Sequence, residues 1–454
     1  MGVHFNTVLS AEDVISRAQH AAMKLRYEYP IVASYIDRRA NTHQDLPAWV
    51  YVPLIGQAEA EAWLKEAFEV QRFDRPLDAD SFILSINRTT LSAGRPTVRL
   101  YLLVGRDDSE YAIYIRGPHS IMDAWPTLSV LNLFFQWMTD EPFNELGDFP
   151  WGTEGHNLPV GPVIATGGLS SAWDTEGQEL IMRIASVQGI TKTPHTLKPQ
   201  RQECIAPEST IRHRLIVDED VSLRLLAKAK SLGFTVGHLF EAAQMLALAT
   251  QNPADEADIE SGAFIRNPQT FVSIEKDLVH PYKSKPHFIS AHVWMPLYFP
   301  LKDLAVKDTP QQRLLNAMLL VKQQVASYTG NACFPQSLVK ICDFVSPVGY
   351  KVPKGSYGNT YTNLGVIENR LPILRGRSSA GIPLMEITDM TFGHRWTMTS
   401  VTVHIWTFKS RLHIQVQAAD NWDAEYLKAY VAAILEQASH ILDDEELGTS
   451  KATI

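Results

Sequence analysis

Hydrophobic and polar positions along the chain change period several times, and the changes predict alternating helices and strands. Residues 11 to 28 read as an amphipathic helix, with Ser10 placed to cap it and Glu12 and Asp13 in the first turn. A second helix is predicted over about 57 to 70. The period then shortens. Phe82-Ile83-Leu84-Ser85-Ile86 predicts a strand, and a polar stretch from Thr89 to Pro96 follows it. Val98 to Val104 and Tyr111 to Ile115 are apolar runs of strand length joined by Gly105-Arg106-Asp107-Asp108, which is a hairpin signal. The second run stops at Gly117-Pro118, and a helix over about Met122 to Met138 comes next.

Residues 139 to 162 are rich in proline and glycine and read as loop. A segment rich in Thr, Lys and Pro, 191 to 208, predicts a linker between two domains, 1–190 and 209–454. The second half restarts with a strand over 211 to 217 and a helix from about Asp220. Gly233 is placed to close that helix, and Thr235 to cap the next, which carries Leu239, Ala242, Ala243, Leu246 and Ala247. A helix near 310 to 328 follows, then strands near 360 to 367, 384 to 392, 399 to 407 and 412 to 418, and a helix over 424 to 442. Both halves mix strands with flanking helices, so the expected class is α/β with two similar parts.

Composition narrows the function classes. A chain of 454 residues is long for one core. Its 45% hydrophobic and 20% charged residues are those of an ordinary globular protein. The net charge of -9 argues against a nucleic-acid partner, since phosphate backbones need a positive surface. The first residues lack the charged-then-apolar order of a secretion signal, and Asn6 stands where a myristoylation signal wants Ser or Thr. No run of eighteen apolar residues occurs, so no membrane span is expected. Cys204, Cys333 and Cys342 read as free thiols of a reducing, cytoplasmic compartment.

The candidate chemistry lies in Ile115-Arg116-Gly117-Pro118-His119-Ser120-Ile121-Met122-Asp123-Ala124-Trp125. Gly117 and Pro118 end a strand, so His119 is presented on a tight turn just before a helix. An imidazole titrating near neutrality can take a proton from a hydroxyl as that group attacks a carbonyl. Asp123 is placed to pair with an arginine and fix the loop. The spacing alone is weak, because fifteen histidines give about one chance match. His440 and Asp444 form a second copy, read as a surface pair one helical turn apart. Trp125, Trp151, Trp396 and Trp406 are read as core packing. His404 and His413 lack companions at metal-ligand spacing, so no metal is expected. Ser346 and Ser356 sit in no hydrolase nucleophile turn, and no phosphate-cradling glycine loop is present.

With its context, the His119-to-Asp123 segment resembles the superfamily of condensation domains, chloramphenicol acetyltransferase, plant BAHD acyltransferases and fungal trichothecene O-acetyltransferases, the last most of all. Arg26-Tyr27-Glu28-Tyr29-Pro30 resembles the entry after the first helix, and Trp151-Gly152-Thr153-Glu154 a segment of the fungal branch. Leu232-Gly233-Phe234-Thr235 resembles the start of the second domain, and Tyr361 to Ile367 a tunnel-lining strand. Asp389 to Trp396 is similar to a degraded form of the BAHD Asp-Phe-Gly-Trp-Gly motif. Pro118 and Ala124 replace the His and Gly of condensation domains, which leans towards O-acyl transfer by a free-standing enzyme.

The resemblance implies two chloramphenicol-acetyltransferase-like domains, each a mixed sheet with flanking helices, and an active-site tunnel between them. It implies His119 as general base and direct attack on the thioester. It makes Asp123 structural, pointing away from the histidine towards an arginine, for which Arg88 and Arg116 are the candidates. Asn363 is the candidate oxyanion donor. Acetyl-CoA or another acyl-CoA is the implied co-substrate, with a carrier protein as the other donor, no tightly bound cofactor, and a monomer as the expected state. The expected activity is acyl transfer, in the first place acetyl transfer, to a hydroxyl of a small secondary metabolite such as a terpenoid or polyketide. The alternatives are thioester-independent acid–base chemistry (cyclisation, elimination or rearrangement) on the same fold, and a non-catalytic binding protein.

Overall fold

A computed structural model of the chain describes residues 1–37, 48–91, 97–140, 149–205, 209–304, 309–345 and 357–443. In chain order its strands are β1 Gly2–Thr7, β2 Tyr35–Asp37, β3 Ala48–Val50, β4 Phe68–Arg72, β5 Arg99–Val104, β6 Tyr111–Arg116 and β7 Thr210–Ile216. Then come β8 Phe264–Ser273, β9 His292–Pro300, β10 Asn359–Val366, β11 Leu374–Arg375, β12 Met385–Thr391, β13 Val401–Phe408 and β14 Arg411–Ala419. They form two six-stranded sheets, β11-β12-β1-β6-β5-β4 and β7-β14-β13-β10-β8-β9, and a small pair, β2-β3.

The chain divides into two compact units that do not follow the predicted boundary. The first unit is Met1–Ala165, Leu278–Ala291 and Ile367–Gly393; the second is Thr166–Asp277, His292–Val366 and His394–Ile454. The expected linker, 191–208, is part of the second unit. His195 donates its N–H to Phe264 O at 2.7 Å, and Lys192 Nζ donates to Ser261 O at 2.7 Å. Its composition lacks a hydrophobic period, yet its backbone and side chains are spent on β8 and its approach. Nor is the first unit continuous, because β12 lies beside β1, with Gly2 opposite Thr391. Which sheet an apolar strand joins is a matter of pairing, and composition carries no signal for it.

In the first unit β5 and β6 form the predicted antiparallel hairpin, Leu100 opposite Ile115 and Tyr101 opposite Tyr114. One face presents Tyr101, Leu103, Ala112 and Tyr114 to Phe82 and Ile83. Those two residues belong to a helix, Ala79–Asn87, and not to the strand predicted over 82–86. A five-residue run with four apolar positions is too short to distinguish the periods. The overlooked signal was Asp78, whose carboxylate caps the helix by accepting from Asp80 N and Ser81 N. The helix predicted over 57–70 stops at Ala67, and β4 starts at the next residue. Another buried assembly ties three distant segments together: Arg26 Nη1 donates to Tyr51 OH at 2.6 Å, and Tyr51 OH to Glu154 Oε1 at 2.6 Å. Glu154 also accepts from Leu54 N and Gly152 N. The Trp151–Glu154 segment is thus structural cement.

In the second unit the turn into helix Val236–Gln251 is as read from the sequence. Gly233 takes φ +75°, and Thr235 Oγ1 accepts from His238 N while His238 Nδ1 accepts from Thr235 N, closing a capping box. This helix packs on helix Ala424–Ser439, and Tyr430 OH donates to Gln244 O at 3.1 Å. Within this core Glu241 is 1% exposed. Its Oε1 accepts from Thr270 Oγ1 at 3.1 Å, Gln244 Nε2 at 3.2 Å and Asn267 Nδ2. Burial nevertheless dominates and pushes the carboxyl from 4.5 up to about 8. The folded state therefore keeps a proton that the unfolded chain releases near 4.5, so stability is full below that pH and falls as the pH rises towards 8. The slope is about 1.4 kcal/mol per pH unit. Glu241→Gln keeps the acceptor oxygen and removes the titration. Thermal melts at pH 5 and pH 8 should then differ less in the variant than in the wild type.

Among the described residues no single helix is long and apolar enough to cross a membrane.

Candidate active site

β6 ends at Arg116, and the chain leaves the sheet through Gly117-Pro118. Pro118 has no N–H with which to extend the ladder. Its carbonyl accepts from Ile121 N at 3.2 Å, closing a turn with His119 and Ser120 at the two central positions. Gly117 is needed for close approach, since a Cβ there would run into the Met122 thioether and touch Val98. Helix Ala124–Thr139 starts immediately after the turn. The His119 side chain accordingly stands 57% exposed, whereas that of Asp123 is 6% exposed.

Asp123 occupies the N-cap position with extended backbone, yet its side chain makes no capping bond. A capping aspartate ordinarily contributes about 1 kcal/mol by accepting from the first turn. Here the carboxylate is committed elsewhere. Oδ2 accepts from Ala291 N at 2.8 Å, and Oδ1 lies 3.6 Å from His119 Nδ1. That distance is an ion-pair contact, longer than a direct hydrogen bond. The expectation that Asp123 points away from the histidine is therefore corrected. So is the choice of arginines: Arg116 donates to Thr89 Oγ1 at 3.1 Å and to Thr89 O, and Arg88 is exposed beyond the helix end.

The surroundings of His119 desolvate it and work against protonation, but contact with Asp123 and its negative charge outweigh this. The imidazole is held above its usual 6.5. With Nδ1 turned towards the carboxylate, the neutral ring carries its proton there and presents Nε2 as the acceptor.

Two further residues belong to this neighbourhood, and sequence reasoning missed both. The Arg370 guanidinium lies 4.5 Å over the Trp125 ring, and its Nη1 donates to Ser129 Oγ at 3.3 Å. It thereby fastens the first turns of the helix that Asp123 opens. Trp125 is thus a platform for a cation, not simply core. His287 is buried, and its Nδ1 accepts from Ile289 N at 3.1 Å. Burial lowers its pKa first of all, the Asp123 charge opposes this, and the Arg370 charge lowers it further. A neutral ring that accepts at Nδ1 carries its proton on Nε2. Neither residue lies in a motif, and only the fold brings them to the turn.

Asn363 lies in the other unit, on β10, where its Oδ1 accepts from Gly365 N at 2.8 Å beside a register shift. The remaining candidates take structural places. His404 Nδ1 meets Thr362 Oγ1 at 2.6 Å, and His413 stacks on Trp406 at 4.9 Å. Trp151 Nε1 donates to Gln57, and Trp396 Nε1 to Ser400 O. His440 Nδ1 contacts Asp443 at 3.2 Å; Asp444, Ser346 and Ser356 lie outside the described residues. Cys204, Cys333 and Cys342 are free thiols. Among the described residues no three His, Cys, Asp or Glu side chains gather as a metal-binding group.

No family model matches the chain, and no curated protein matches it in sequence. Solved structures do match. Trichothecene 15-O-acetyltransferase TRI3 from Fusarium sporotrichioides superposes with a TM-score of 0.82 at 14% identity, covering 97% of this chain and 90% of that one. The epimerization domain from the third module of tyrocidine synthetase B gives 0.61 at 9% identity, covering 98% and 92%. The condensation domain of the Monacolin K polyketide synthase gives 0.60 at 11% identity, covering 96% and 90%. In fold, this chain stands with the trichothecene acetyltransferase and with condensation and epimerization domains.

Proposed function

We propose that the protein is an acyl-CoA-dependent O-acyltransferase. It transfers an acyl group, acetyl in the first instance, to a hydroxyl of a small secondary metabolite such as a terpenoid or polyketide. The observation that carries this reading is His119, accessible on its turn, with Nδ1 against a buried carboxylate that is itself fixed by Ala291 N. The likeness in fold to an acetyltransferase supports it.

In this mechanism Nε2 of His119 takes the proton of the acceptor hydroxyl while the oxygen attacks the thioester carbonyl. The charge that develops on the carbonyl oxygen needs a donor, and Asn363 Nδ2 is proposed for that role. Collapse of the tetrahedral intermediate forms the ester, breaks the carbon–sulfur bond and returns the proton from the imidazolium to the leaving thiolate. No acyl-enzyme forms, and coenzyme A is a co-substrate instead of a resident cofactor. Asp123 and Arg370 act as positioning residues.

The test is incubation of the purified protein with acetyl-CoA and a panel of hydroxylated terpenoids and polyketides, followed by thiol titration and mass spectrometry. Stoichiometric thiol release with an acetylated product is expected. A second reading, proton transfer on one substrate without an acyl donor, is favoured by the epimerization domain among the structural neighbours. Conversion that proceeds equally without thioester would replace the first reading by the second.

A further inference from the structure

Arg99 on β5 and Arg116 on β6 are directly opposed in the antiparallel register. Residues so placed share one face of the sheet, and like charges there repel each other. Both side chains are only half-buried. Arg116 reaches Thr89 Oγ1 at 3.1 Å and also Thr89 O, at the end of helix Ala79–Asn87, whose C-cap residue is Arg88. Three arginines therefore occupy one corner of the first unit.

Among the described residues none of the three makes an ion pair with a carboxylate. In the same sheet Arg72 on β4 has a partner, Asp108, at 2.9 Å. The chain as a whole carries a net charge of -9, so acidic side chains are not in short supply. The helix end accounts for part of the charge of Arg116, because its carbonyls attract a cation. It leaves Arg99 uncompensated. Only Gly117 and Pro118 separate Arg116 from His119, a span of at most about 10 Å.

We infer that Arg99 and Arg116, with Arg88 at their margin, form an anion cradle that holds a phosphate of the acyl donor while its thioester lies at His119. This rests on the acyltransferase reading. Guanidinium groups present forked donors that match phosphate oxygens, and both coenzyme A and a carrier-bound arm carry a phosphate at one end of the flexible pantetheine chain. The phosphate can come from the nucleotide portion of free coenzyme A or from the 4′-phosphate that coenzyme A shares with a carrier-bound arm.

Three donors distinguish these sources: acetyl-CoA, acetyl-4′-phosphopantetheine and acetyl-pantetheine, which has no phosphate. Each is assayed with wild type, Arg99→Gln and Arg99→Lys at saturating acceptor. Arg99→Gln is expected to raise KM for acetyl-CoA about tenfold more than for acetyl-pantetheine, as loss of a charged hydrogen bond would. Arg99→Lys should recover part of the loss, and kcat should change little. If acetyl-4′-phosphopantetheine follows acetyl-CoA, the 4′-phosphate is the group held; if it follows acetyl-pantetheine, the nucleotide phosphates are. An equal change for all three donors overturns the cradle and leaves the acyltransferase reading standing. If wild type turns over no thioester, that reading falls, and calorimetry with coenzyme A alone decides the cradle: equal affinity in wild type and Arg99→Gln, or no binding, overturns it.

Discussion

His119→Ala should lower kcat/KM for acyl transfer by about 10²- to 10⁴-fold, the range a positioned general base supplies, while leaving thermal stability almost unchanged. The activity loss follows because Nε2 is the proton acceptor in the proposed step and alanine offers none. Stability should persist because the side chain is 57% exposed and the turn is closed by backbone, Pro118 O to Ile121 N. The carboxylate left behind still accepts from Ala291 N. The paired readouts are steady-state kinetics of thiol release and a thermal melt. Undiminished turnover in a variant that melts like wild type would remove the general-base assignment, and with it the observation on which the proposed function rests.

Substitutions at Asp123 should separate its contact with His119 from its hydrogen bond with Ala291. Because Asp123 holds the imidazole above 6.5, the neutral, working form of His119 is lost as the pH falls through that raised value. The acid limb of the kcat/KM profile should therefore lie above pH 6.5 in wild type. Asp123→Asn removes the negative charge that helps to outweigh desolvation; the limb should move to lower pH. Asp123→Ala also removes the acceptor of Ala291 N. A buried donor left without a partner costs about 1–3 kcal/mol, so this variant should be measurably less stable in denaturant unfolding as well. A carboxylate with a purely structural role would lower stability in Asp123→Ala without moving the acid limb in Asp123→Asn.

The turn that carries His119 was legible in the sequence because Gly117 and Pro118 act locally. One removes a side chain from a crowded point, and the other removes a donor from a ladder. The capping of helix Val236–Gln251 by Thr235 was legible for the same reason. What was not legible depends on partners distant in the chain. Ala291, His287 and Arg370 have no spacing relation to Asp123, and their residue types are ordinary. Helix Ala79–Asn87 was not legible because the mostly apolar run 82–86 is too short to show a period, and its N-cap, Asp78, lies four residues before that run. The domain boundary failed because a polar, proline-bearing segment can be a linker or a strap bonded along a sheet, and only the paired strand distinguishes them.

The place of β1 between β12 and β6 bears on how the molecule is made. Gly2–Thr7 leaves the ribosome before both of its partners, and β6 can pair with it once about a hundred further residues have emerged. Its other edge stays open until Met385–Thr391 has been synthesised. A nascent chain therefore carries an unpaired strand edge, a template for wrong partners, while everything between β6 and β12 is being made. A fragment ending at Ala165 would keep that edge for good, so the histidine-bearing unit cannot be isolated by cutting the chain between the two units.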